Sequence, residues 1–194
     1  MKKVLFVFLL LASTVQGQSL DWKENKPLQK IKLISSGGDH IRLRSIDRHN
    51  GAVIVFLSPE CPLSQVYTRE LNELYEQHKH NDMAFYGVFP GKELSPAQIE
   101  AFRRQYKLQF PILMDIDYRL SGALHAKVTP EVFLCDPWGG VHYRGAIDDR
   151  AVSLGKLNDY AQETYLFNAI EMWLMQEPIW PIETNAIGCI IELP

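Results

Sequence analysis

The segment that most constrains the fold is residues 51–57, Gly-Ala-Val-Ile-Val-Phe-Leu, which runs straight into Ser-Pro-Glu-Cys-Pro at 58–62. An unbroken, β-branched apolar run with no polar alternation is the pattern of a central strand covered on both faces. Pro62 suits a first helical turn, where its missing N–H is not needed. From Pro62 to about Lys79, Leu63, Val66, Tyr67, Leu71, Leu74 and Tyr75 recur at helical spacing. Cys61 is therefore expected at a strand-to-helix turn, facing unpaired N–H groups and the positive end of a helix. Both favour the thiolate, which is the nucleophilic and oxidisable form. The alternative for Cys61 is a buried structural cysteine.

The rest of the chain alternates strands and helices. Residues 30–35 and 40–46 each alternate apolar and charged side chains around Gly37 and Gly38, and read as two short, half-buried strands. Residues 83–90, 110–115, 130–136 and 141–147 read as further strands. Ser95 and Pro96 open a helix running to about 108, residues 117–126 form a short helix, and 158–176 a long amphipathic one. This order gives an α/β fold with a central mixed sheet flanked by helices, an N-terminal strand pair and a C-terminal tail. The sheet is mostly parallel and closes on an antiparallel pair, through the turn Pro137-Trp138-Gly139-Gly140. No linker interrupts it, so residues 18–194 read as one domain.

Residues 1–17 read as a signal peptide: Lys2 and Lys3, then the apolar run 4–11, then small residues at Val15 and Gly17. Cleavage near Gly17 implies a periplasmic or secreted protein with no stable membrane insertion. The formal net charge of −3 becomes more acidic once Lys2 and Lys3 leave, and no basic patch is present. That argues against nucleic acid and anionic membranes as partners. Export allows a disulfide to persist. The three cysteines, Cys61, Cys135 and Cys189, allow three single pairings, and composition does not choose among them. Cys135, mid-strand, reads as core. His78 and His80 read as solvated residues at a helix end, and Asp148, Asp149 and Arg150 as a solvated turn.

The strand, the stretch Phe-Leu-Ser-Pro-Glu-Cys-Pro-Leu-Ser at 56–64, and Val-Thr-Pro-Glu-Val-Phe at 128–133 resemble the thioredoxin-like fold. With Tyr-Arg-Gly-Ala-Ile-Asp-Asp at 143–149 and Glu-Thr-Asn-Ala-Ile-Gly-Cys at 183–189, the chain is most similar to exported redoxins of the alkyl-hydroperoxide-reductase/thiol-specific-antioxidant superfamily. The resemblance implies Cys61 as the redox-active cysteine and Pro130 as a cis-proline facing it. It implies thiol–disulfide exchange or peroxide reduction, with a protein disulfide or peroxide as substrate, an external thiol as reductant, and no cofactor.

Two departures stand out: Leu-Ser-Pro-Glu-Cys at 57–61 lacks the threonine of the ordinary peroxiredoxin turn, with no matching arginine, and the second cysteine of the turn is missing. Members often carry Cys-Pro-Leu-Cys, and here Ser64 replaces the second cysteine; a hydroxyl can hydrogen-bond a thiolate but cannot attack a mixed disulfide. Cys189, before an apolar stub, is the remaining resolving candidate for Cys61. Closing so long a loop would favour such a disulfide by about 4–5 kcal/mol on chain-entropy grounds. The expected catalytic set is Cys61, Cys189 and Ser64, with Pro62, Thr129, Pro130, Glu60 and Glu131 along the substrate groove and no metal ligand. Two alternatives stay open: a catalytically degenerate binding module of the cell envelope, and a copper-binding accessory. The second is weakened because Ser64 and Thr129 stand where that pattern needs a cysteine and a histidine.

Overall fold

The computed structural model describes residues 28–43 and 49–194. The expected signal peptide, the lead-in to Pro27 and the end of the second short strand lie outside the described residues.

Strand β3 (Gly51–Phe56) is buried at every position. It runs parallel to β4 (Met83–Pro90) on one side and antiparallel to β7 (Glu131–Cys135) on the other. The full sheet adds β1 (Lys32–Ser35), β2 (His40–Arg42), β5 (Ile112–Asp115) and β8 (Val141–Gly145), in the order β2-β1-β5-β4-β3-β7-β8. Among the described residues, only β3–β4 and β4–β5 are parallel strand pairs. The sheet is mixed, as expected, but with more antiparallel pairing than the closing hairpin alone supplies, because β1 joins it through β5 and β7 runs antiparallel to β3. The N-terminal pair is half-buried, as its charge alternation suggested: Leu33 is enclosed while Lys32 is exposed.

Helices α1 (Pro62–His78), α2 (Pro96–Gln105), α3 (Arg119–Leu124) and α4 (Tyr165–Leu174) pack on the two faces. Leu63, Tyr67 and Leu71 of α1 and Leu166 and Ile170 of α4 meet Val53, Val55 and Leu134 on one face; Ile54, Phe56, Phe133 and Leu120 fill the other. Successive β3 residues thus feed opposite cores, as a period of two requires. Val66, expected on the α1 stripe, is exposed, one position off the buried line of Leu63, Tyr67 and Leu71. A reciprocal capping box between Ser95 and Gln98 starts α2.

The last helix begins at Tyr165, not Asn158. Its expected first turns are polar and are held elsewhere: Asn158 N–H donates to the Arg150 carbonyl, and Gln162 N–H to the Asp149 carboxylate. Before them lies a small hairpin of β9 (Ala151–Ser153) and β10 (Lys156–Leu157). Two short strands complete the set, β6 (Val128–Thr129) and β11 (Cys189–Ile190), paired with each other.

His78 corrects the sequence reading. It is 2% exposed, under Phe167 and Glu171 of α4, and neither ring nitrogen has a hydrogen-bond partner. Burial holds its pKa below the ordinary 6.5, with Glu171 opposing more weakly. The unfolded chain therefore binds the proton more readily. Stability that His78 contributes is complete above about pH 6.5 and is lost as pH falls through and below that value. Denaturant midpoints should decline from pH 7.5 to pH 5.5, and His78→Leu should flatten that decline; an identical pH slope in the variant would contradict this.

Candidate active site

Cys61 is the N-cap residue of α1, with extended φ of −84° and ψ of 116°, and Pro62 opens the helix. The turn before it is tied down locally. Cys61 N–H donates to the Ser58 carbonyl at 3.2 Å, and Gln65 Nε2 donates to the Pro59 carbonyl at 2.8 Å. Ser58 N–H donates to Ser64 Oγ at 3.2 Å. The Ser64 hydroxyl thus closes the turn, while its backbone N–H faces the Cys61 sulfur.

Opposite lies β6, followed by a cis Thr129–Pro130 peptide. The Cys61 thiol donates to the Thr129 carbonyl at 2.8 Å. β11 lies antiparallel on β6 with Cys189 opposite Thr129 and Ile190 opposite Val128. The C-terminal segment thereby brings Cys189 to the cleft that Cys61 lines, close enough to influence its titration. All three thiols are unpaired here.

The tail is seated at two glycines. A Cβ on Gly145, whose φ is +135°, would meet the Thr184 carbonyl oxygen and hydroxyl, each at 2.3 Å. The Thr184 hydroxyl accepts the Ala146 N–H at 2.9 Å and pairs with the Tyr143 hydroxyl at 2.6 Å. Thr184 N–H donates to the Arg144 carbonyl at 3.0 Å. At the far end a Cβ on Gly188 would sit 2.2 Å from the Thr129 carbonyl oxygen. Ile191 N–H then donates to the Lys127 carbonyl at 2.8 Å. Sequence reasoning missed Gly145, Thr184 and Gly188 as positioning residues; only the Gly-Cys step at 188–189 hinted at a tight approach.

The two thiols titrate as an unequal pair. Burial is the largest influence on Cys61 and pushes its pKa up. It is outweighed by hydrogen bonds from the Cys189 thiol, the Ser64 and Cys189 backbone N–H groups and the Thr129 side chain, so Cys61 falls below the ordinary thiol value of 9.0. Cys189 is pushed up to about 11, first by burial, then by its hydrogen bond to Cys61 and the charge there. The pair thus favours a Cys61 thiolate with the proton held on Cys189. Cys135, wholly buried, is driven upward by desolvation, as its core reading anticipates.

Cys61 is fully buried but lines a cleft of about 1010 Å³. Glu60, Thr129, Tyr118, Cys189 and Ile191 border the same cleft. Of the other residues expected along the groove, Pro62 lies in the first turn of α1, and Pro130 lines a separate small cavity with Tyr67 and Asp148. Glu131 is buried in an ion pair with Arg144 at 2.9 Å, and its other oxygen accepts the Lys127 N–H at 2.6 Å. That pair holds the loop before Thr129 beneath the tail. Asp148 is buried too, not solvated: it accepts the Tyr67 hydroxyl and Arg150 Nε. Among the described residues, no three His, Cys, Asp or Glu side chains gather as a metal ion would need.

Alkylation of the reduced protein by iodoacetamide should follow this order. Cys61 should react with a pH midpoint below 9.0 and Cys189 above it, because only the thiolate attacks. Cys189→Ala removes the largest donor to Cys61 and should move the Cys61 midpoint upward. An unmoved midpoint would contradict the shared proton.

The alkyl hydroperoxide reductase/thiol-specific antioxidant family, AhpC/TSA, matches residues 25–144, more than half of the chain and inclusive of Cys61, Ser64 and Thr129. No curated protein matches by sequence. Among solved structures, a hypothetical protein from Sinorhizobium meliloti is 20% identical, with a TM-score of 0.77 over 88% of this chain and 94% of its own. An uncharacterised conserved protein from Geobacillus kaustophilus is 22% identical, with a TM-score of 0.76 over 87% and 90%. A secreted Mycobacterium tuberculosis disulfide oxidoreductase, homologous to E. coli DsbE, is 15% identical, with a TM-score of 0.54 over 77% and 96%. These likenesses show a thioredoxin-like fold. With the family match spanning the strand, the cysteine turn and the β6 loop that faces it, the chain belongs to the AhpC/TSA family of redoxins.

Proposed function

We propose that this redoxin works through two cysteines, with Cys61 as the nucleophile and Cys189 as the resolving thiol. The observation that carries the reading is the β6–β11 pairing, which sets Cys189 against Cys61 where Ser64 offers no second sulfur. The Cys61 thiolate attacks a sulfur of a substrate disulfide or the terminal oxygen of a hydroperoxide. The first reaction gives a mixed disulfide, the second a sulfenic acid. Cys189 then displaces the bound thiol, or water, and leaves a Cys61–Cys189 disulfide. An external thiol returns both sulfurs to the reduced state.

The surrounding groups have assignable roles. The N–H groups of Ser64 and Cys189 stabilise the Cys61 thiolate. Ser64 Oγ holds the turn by accepting from Ser58, so it acts as a positioning residue and not as a substitute for a second thiol. Glu60 borders the cleft and Glu131 supports the β6 loop through Arg144. The binding-module alternative drew on Cys61 lacking a partner, and the placement of Cys189 favours turnover over it. Export, suggested by residues 1–17, fits a site that cycles through a disulfide; among the described residues no helix is long and apolar enough to cross a membrane.

Cys61→Ser should reduce both insulin reduction and hydroperoxide consumption to the background of the added thiol. Cys189→Ser should keep the first step and lose rapid turnover. Mass spectrometry should then find Cys61 trapped as a mixed disulfide or a sulfenic acid. Wild-type rates in Cys61→Ser would overturn the assignment of the nucleophile, and unchanged turnover in Cys189→Ser that of the resolving thiol.

A further inference from the structure

We propose that the C-terminal strand sets the substrate class of this site: docked, it admits a small hydroperoxide to Cys61 and shuts out an extended polypeptide. The inference rests on the reading of Cys61 as the nucleophile. An extended segment delivering a cysteine sulfur to Cys61 would add to the backbone edge nearest that sulfur, since unpaired strand edges are where polypeptides dock. Here that edge is Val128–Thr129, and β11 already occupies it. Cys189 stands opposite Thr129, the register position a foreign cysteine would need.

The remaining access suits a small molecule. Cys61 is buried, and the cleft it lines is bordered by the tail itself, from Cys189 to Pro194. A hydroperoxide need bring only its terminal oxygen to the sulfur. Disulfide exchange must bring two substrate sulfurs and the chains that carry them. In the favoured reaction the Cys61 thiolate bonds to the terminal oxygen, the O–O bond breaks, and the alcohol leaves with a proton. Condensation of the Cys61 sulfenic acid with the Cys189 thiol forms the S–S bond and releases water. The two electrons come from the two thiols, and a dithiol reductant restores them.

Gly188 is the residue that permits this exclusion. Its Cα lies so close to the β6 loop that a Cβ would fall 2.2 Å from the Thr129 carbonyl oxygen and 2.6 Å from its carbon. Both are backbone atoms, so any side chain must lift β11 from the edge. Lifting it exposes the edge and withdraws the Cys189 donors from Cys61. The two substrate classes should therefore respond in opposite directions.

Single-turnover rates of Cys61 with hydrogen peroxide, and with a decapeptide carrying a 5-thio-2-nitrobenzoate mixed disulfide, would be measured on the full chain and on Gly188→Val. The peptide rate should rise about tenfold or more in the variant, as expected when the competent state goes from a minor to a major population. The peroxide rate should hold or fall. Ile191→Pro, which deletes the N–H that donates to Lys127, should change the ratio in the same sense and serves if Gly188→Val does not fold. A peptide-to-peroxide ratio that is unchanged or lower in the folded variants overturns the gate while leaving Cys61 as the nucleophile. A wild-type Cys61 that reacts with neither probe overturns the nucleophile assignment itself.

Discussion

The contact on which the site depends is the approach of Gly188 to the Thr129 carbonyl. The tail's share of what distinguishes Cys61 from a buried core cysteine follows from it. The close approach lets β11 pair with β6, and the pairing places the Cys189 thiol and N–H against the Cys61 sulfur. The far anchor is Thr184 in the hollow of Gly145, and the buried Arg144–Glu131 pair braces the strand and loop beneath both. A buried pair of this kind is weak support for net stability but holds its elements in one geometry.

The electrostatics of the site are a contest between burial and hydrogen bonding. Burial alone would leave Cys61 as inert as Cys135, whose thiol is driven upward by desolvation. The helix start and the tail reverse this for Cys61 by supplying donors that recognise a thiolate. Because the strongest donor is itself a thiol, stabilising Cys61 as an anion and keeping Cys189 protonated are one arrangement. Cys189 is thereby held as a thiol while Cys61 carries the thiolate. Once Cys61 is oxidised its charge is gone, and the influence that kept Cys189 protonated is relieved.

Much of this was legible in the sequence. Residues 51–57 dictated a doubly covered strand, and Pro62 with the spacing of Leu63, Tyr67 and Leu71 dictated the helix that follows, so the placement of Cys61 came from local pattern. The resemblance pointed to Thr129–Pro130 as the facing loop. What escaped was non-local. Periodicity reports a face, not the partner that covers it, so His78 read as solvated although α4 buries it. Asp148 read as a turn carboxylate because Tyr67 lies far from it in sequence. The first turns of the expected last helix kept a helical rhythm, yet their polar groups found partners on residues 149–150. The seat of the tail was invisible because its determinants are absent side chains: Gly145 and Gly188 matter for what they leave empty.

The central claim is that Cys61 and Cys189 form one redox couple. It is tested most directly by oxidising the reduced protein with one equivalent of hydrogen peroxide and mapping its peptides under non-reducing conditions. The account predicts a peptide containing Cys61 joined to one containing Cys189 within a single chain, with Cys135 still a free thiol. A Cys61 that remains unpaired, or that is found joined to Cys135 or to a second molecule, would contradict it.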